Sequence, residues 1–162
     1  TLNTVQPYDW ASFLRARLES HGPAPLDGLT RGGYKLTYGD TPTDYFRNSE
    51  LRRRVSDLMF SLGFVVSDEG RITEVLWDGP AFKHSLTIGT QVISVSGAAF
   101  SGERLREAIR DAQKTGTPIE LNVKNGDRYR TVSFNYRDGL RYPRLDRDPS
   151  KPARLDQILT PR

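Results

Sequence analysis

Apolar positions along the chain switch between helical and strand spacing, and the switches mark its elements. Trp10, Phe13, Leu14 and Leu18 recur on one helical face behind Asp9, a residue suited to an N-cap, and predict a helix running through Ser20. His21-Gly22-Pro23 stops it. Residues 26–33 read as a turn-rich connector, 34–38 as a short strand, and 43–54 as a polar helix capped by Thr43. Residues 64–67 and 71–77 then read as strands around the turn Asp68-Glu69-Gly70. Pro80 opens a short helix, and 91–96 forms the next strand before a Ser96-Gly97 turn. From Gly102 to Lys114, Leu105, Ala108, Ile109 and Ala112 fall at helical spacing, with Gly116 and Pro118 ending the run. Strands 119–124 and 129–136 flank Asn125-Gly126-Asp127, a hairpin signal. The charged, proline-containing stretch 141–152 reads as an irregular tail with a last helical turn or two at 153–159.

One tetrapeptide in this series carries chemistry. Ser61-Leu62-Gly63-Phe64, directly before Val65 and Val66, can turn backbone N–H groups outward as a nest for a carboxylate, with the following strand as an edge for an incoming peptide. Alone it is equally a glycine bend entering an ordinary strand. The order downstream decides between them. Pro80-Ala81 at the small helix, 86–89, and Val92-Ile93-Ser94-Val95-Ser96-Gly97 together resemble a PDZ domain of the bacterial type. Thr90 and Ser96 depart from the family pattern, which has Asp and Asn at these turn-shaping positions.

The resemblance implies an α+β fold for residues 55–136: a small, partly open β-barrel or sandwich of five to six strands with one short and one longer helix. It also implies a groove. The N–H groups of Leu62, Gly63 and Phe64, in a loop opened by Ser61, would meet a terminal carboxylate. Leu62, Phe64 and Val66, with Leu105 and Ile109 from the longer helix, would bound an apolar pocket, and a peptide would add antiparallel to the strand of Phe64, Val65 and Val66. Gly102 would stand where many PDZ domains place a selective side chain. Arg106, one turn on, would face the groove and favour acidic or polar residues upstream of an apolar C-terminus.

The flanks resemble something larger. Tyr8-Asp9-Trp10, Phe13-Leu14, Arg17-Leu18, Ala24-Pro25-Leu26 and Gly33-Tyr34 look like the segment closing the helical catalytic domain of bacterial glycyl aminopeptidases, thermolysin-like zinc metallopeptidases with a C-terminal PDZ domain. The run from Ile72 to Ala81 and the ending from Arg141-Tyr142-Pro143 to Pro161-Arg162 add to the likeness. It implies that residues 1–22 are a terminal helix of an absent catalytic domain, 23–54 a connector, 55–136 the PDZ domain and 137–162 a C-terminal tail. The implied role is non-catalytic: capture of peptide C-termini or extended segments for the parent peptidase. The alternatives are intramolecular packing or gating against the parent's catalytic domain, with the groove filled by the lead-in 26–54 or the tail 141–162, and a stand-alone scaffold module.

Composition and charge change this picture little. The 162 residues suit one domain with extensions, and no apolar run approaches the ~18 residues of a membrane span. The chain starts at Thr1 without a basic, then apolar, leader, so no signal peptide is read, and the chain reads as a piece of something longer. No cysteine is present, which fits a cytoplasmic or a periplasm-like compartment; the reading leans to a bacterial periplasm. A net charge of +4 is mildly basic, and Arg52-Arg53-Arg54, without an aromatic platform, reads as a solvated helix end, so no nucleic-acid partner is expected. The parent family's zinc needs a His-Glu-x-x-His helix, whereas this chain has only His21 and His84. No cofactor, metal or catalytic residue is therefore expected here. His21 reads as a helix-end cap, and Asp78, His84 and Ser85, crowded on one short helix and its lead-in, read as surface residues and not a triad.

Overall fold

The computed structural model describes residues 1–19 and 26–161, so the expected stop at His21-Gly22-Pro23 and the cap by His21 lie outside the described residues. The chain divides into two compact units, residues 1–34 with 148–162, and residues 35–147.

In the first unit, α1 (Leu2–Val5) precedes α2 (Trp10–Glu19), and α3 (Asp27–Arg31) forms where a connector was expected. Asp9 does cap α2: its Oδ1 accepts the Ser12 N–H at 3.0 Å. Hydrogen bonds from Ser12 hold that carboxyl below its ordinary pKa. The apolar face of α2 is not a core face among the described residues. Leu18 is 85% exposed, and Trp10 and Phe13 pack edge to face with each other and with Tyr8.

The second unit holds every buried apolar side chain of the described residues. β1 (Tyr34–Gly39) leads to α4 (Asp44–Arg53), capped as expected by Thr43, whose Oγ1 accepts the Phe46 N–H at 3.2 Å. Arg54 ends α4 in the left-handed region (φ 54°), and β2 (Val55–Leu58) starts at once. β3 (Phe64–Ser67), β4 (Ile72–Val75), α5 (Pro80–Lys83) and β5 (Gln91–Val95) follow. After the Ser96-Gly97 turn come β6 (Ala98–Ala99), α6 (Gly102–Thr115), β7 (Ile119–Asn125) and β8 (Arg128–Phe134). α6 is framed by Ser101, whose Oγ accepts the Arg104 N–H, and by Gly116 at φ 73°. Its Leu105, Ile109 and Ala112 are buried, as the spacing predicts.

One expectation fails here. The stretch 141–152 is not irregular: β9 (Tyr142–Arg147) pairs with β1, and α7 (Arg154–Leu159) follows in the first unit. The expected α+β class holds at the coarse level: among the described residues the strands form sheets ordered β1-β9, β2-β3-β4 and β6-β5-β7-β8, the last two antiparallel, with no closed barrel. The core lies between the last two sheets and α6, with Leu62, Phe64, Val66, Ile72, Leu105, Ile109, Leu121 and Phe134 among its members.

Candidate functional site

The sequence leaves the outer edge of Phe64–Ser67 open for a peptide. In the structure that edge is taken. β2 pairs antiparallel with β3 in the register Val55↔Ser67, Ser56↔Val66, Asp57↔Val65 and Leu58↔Phe64, while β4 holds the other edge. A peptide cannot pair with Phe64–Ser67 while Val55–Leu58 is there, which corrects the expectation of a free edge.

The correction extends to the loop. The Ser61 and Gly63 N–H groups both donate to the Leu58 carbonyl, each at 3.0 Å. The loop is a turn on a carbonyl of its own chain, and of the nest expected at Leu62, Gly63 and Phe64 it commits the Gly63 N–H. Gly63 is required for it: at φ 81°, a Cβ would also meet Pro80 at 3.1 Å. The loop's carbonyls are used as well, Leu62 O by Ala81 N–H and Gly63 O by Leu76 N–H. The Ser61 hydroxyl accepts the Arg141 N–H at 3.1 Å. Ser61, Leu62, Gly63, Phe64, Val65 and Val66 are all buried.

The helical wall closes over the same strand. Leu105 and Ile109 join Leu58, Leu62, Phe64 and Val66 in the apolar core, so the expected pocket is assembled, with Leu58 among its members. Gly102 faces Ser56, and a Cβ built there would lie 2.0 Å from the Ser56 hydroxyl oxygen and 3.2 Å from its Cβ. The absent side chain at Gly102 is what lets β2 lie against α6.

Arg106 is not free to read a ligand. Its Nη2 donates to Glu50 Oε1 at 2.9 Å, and its side chain is 17% exposed against 9% for Glu50. Burial draws the Arg106 pKa down, but the Glu50 carboxylate and Tyr142 outweigh it and leave it above the ordinary value. Burial in turn pushes the Tyr142 hydroxyl up, against the Arg106 hydrogen bond. Glu50 Oε1 also accepts the Asp57 N–H at 2.7 Å. The carbonyls of Arg54 and Leu58 turn toward β3, so period-two alternation points the Asp57 N–H away from it. One carboxylate thus ties α4, β2 and α6 together. Sequence reasoning missed Glu50, because a lone Glu in a polar helix carries no sign of burial.

The remaining candidates are held in local structural contacts. His84 is half-buried and not a surface residue: its Nδ1 lies 2.9 Å from Pro80 O and its ring packs on Phe134. Asp78 pairs with Lys83 at 3.5 Å. Arg53 pairs with Glu74 and Asp57, and Arg54 with Asp68 and Glu69. Among the described residues no cluster of three or more His, Cys, Asp or Glu is placed to hold a metal, and no helix is long and apolar enough to cross a membrane.

No family model and no curated protein matches the chain. Among solved structures, the crystal structure of an aminopeptidase N family protein from Idiomarina loihiensis is similar, with a TM-score of 0.54 and 16% identity. The match covers 99% of this chain and 27% of that one, so this chain spans about a quarter of its neighbour's length. At that identity the likeness concerns the fold. The HtrA3 PDZ domain bound to a phage-derived ligand (FGRWV) matches with a TM-score of 0.34 and 15% identity, over 70% of this chain and 92% of that one.

Proposed function

We propose that this chain is the C-terminal, PDZ-like portion of a zinc aminopeptidase of the glycyl aminopeptidase type, and that it packs against or gates the catalytic part without capturing free peptide along Phe64–Ser67. One observation carries the closed-groove reading: Val55–Leu58 fills the edge of Phe64–Ser67, and the Leu58 carbonyl takes the Gly63 N–H that a ligand's carboxylate would need. The parentage is supported by the flanking motifs around Trp10 and Tyr142, by the run from Ile72 to Ala81, and by the fold likeness over 99% of the chain. Hydrolysis is left to the parent, since two distant histidines cannot supply a His-Glu-x-x-His site.

A titration of the chain with a C-terminal peptide library, followed through backbone amide shifts, tests this. The expected result is no saturable shift at residues 61–66 and no aminopeptidase turnover after zinc loading. Saturable shifts there, abolished by amidating the peptide carboxylate, would replace the closed groove with peptide capture. Turnover would overturn the non-catalytic assignment.

A further inference from the structure

With β3 covered, the edge of the β2-β3-β4 sheet is β2 itself, and it borders a cleft of about 420 Å³. Arg47, Arg54, Arg106 and Arg110 line this cleft together with Val55 and Gly102. The alternation that turns the Asp57 N–H outward turns the Val55 N–H and carbonyl the same way. Glu50 occupies the Asp57 N–H, so the open backbone on this edge is at Val55, beside the arginines.

The four guanidinium groups pair with five carboxylates, those of Asp44, Glu50, Asp68, Glu69 and Glu103. Glu50 is committed to Arg106 and the Asp57 amide. The other pairings are looser. Arg47 meets Asp44 at 3.7 Å, Arg54 meets Asp68 at 3.4 Å and Glu69 at 3.8 Å, and Arg110 meets Glu103 at 3.0 Å, all on exposed side chains. Exposed pairs of this kind contribute about 0–1 kcal/mol, so an incoming carboxylate exchanges with them at small cost. Each guanidinium keeps a fork suited to two carboxylate oxygens.

We infer that the cleft between α4, β2 and the first turns of α6 binds a short acidic peptide segment, its carboxylates on Arg47 and Arg110 and its backbone against Val55. A compact anion would need the arginines alone; the outward-turned backbone of Val55 beside them favours a peptide. The inference rests on β2 lying in the groove, though not on the parentage of the chain.

The test uses the whole chain and the capped peptides acetyl-Glu-Glu-Glu-amide and acetyl-Gln-Gln-Gln-amide, read by amide NMR with inorganic phosphate as a second probe. The acidic peptide is expected to give saturable shifts at Val55, Ser56, Gly102 and Arg110. Arg47→Gln or Arg110→Gln, both at exposed positions, should each weaken it about tenfold. Absent shifts, equal shifts with the glutamine peptide, or undiminished binding in both variants would overturn the site. Phosphate binding as tightly as the peptide would overturn the peptide assignment. Hydrogen exchange at the Val66 amide, read from the same samples, separates failure of the site from failure of the closed groove: protection there with no peptide shifts sinks only the site.

Discussion

Glu50 and Arg106 are 56 residues apart in sequence, and one oxygen of Glu50 serves both the Arg106 guanidinium and the Asp57 backbone. Removing the charge while keeping the shape should expose what the pair contributes. Glu50→Gln is expected to destabilise the chain by about 2–4 kcal/mol, because it leaves a mostly buried guanidinium without its counter-charge. Arg106→Met in the same background should recover part of the loss. Urea unfolding of the two single variants and the double variant measures the coupling; independent, additive losses would show that the pair does not act as one.

Gly102 offers a sharper test of where β2 lies. At an unobstructed first helical position, Gly→Ala stabilises by roughly 0.5–1 kcal/mol. Here the added methyl meets Ser56, so Gly102→Ala should destabilise by about 1–3 kcal/mol, with Ser56→Ala relieving part of it. A stabilising Gly102→Ala in thermal unfolding would mean that β2 is not in the groove.

Leu58 behaves as core despite lying on an edge strand. It is 1% exposed and packs with Leu105 and Ile109, so Leu58→Ala is expected to cost about 2–5 kcal/mol. Amide exchange at Ser61 and Gly63 should rise in the same variant, since both donate to the Leu58 carbonyl.

Asp57 should give the chain a distinct pH response. Burial raises its carboxyl pKa, against the Met59 N–H and Arg53, while Glu74 adds to the rise. A carboxyl raised on folding favours the folded state when protonated. Its contribution is full below the ordinary carboxylate pKa and is lost as pH climbs through the raised value. Asp57→Asn is therefore expected to raise the melting temperature at pH 7 and leave it unchanged at pH 3. A lowered melting temperature at pH 7 would show that the Arg53 pairing at 3.7 Å outweighs burial.

The parts of the fold that the sequence announces are those whose pattern is local. α6 is written in Leu105, Ile109 and Ala112 between Ser101 and Gly116, and the β7–β8 hairpin in Asn125-Gly126. β2 escapes notice because it has four residues and turns a serine, Ser56, inward beside Leu58. Nothing in Val55-Ser56-Asp57-Leu58 declares which face is buried until Gly102 is seen opposite. β9 is masked by Pro143 and by its charges, which an edge strand tolerates, and its partner β1 lies about a hundred residues away, as the 109-residue separation of the hydrogen-bonded Thr37 and Asp146 shows. That Leu62, Phe64, Val66, Leu105 and Ile109 meet in one apolar cluster was legible. That their occupant precedes them in the same chain was not, because the pairing depends on a turn and a buried carboxylate that no spacing rule encodes.

The occupant of this groove is joined to it by the five residues between Leu58 and Phe64. A tether that short holds its end at an effective concentration of the order of millimolar or above. Dilution therefore cannot empty the groove, and a free peptide of micromolar affinity meets a competitor that never diffuses away. The two sides of this contact are also inherited together: a change in Leu105 or Gly102 can be answered by a change in Leu58 or Ser56 within the same gene.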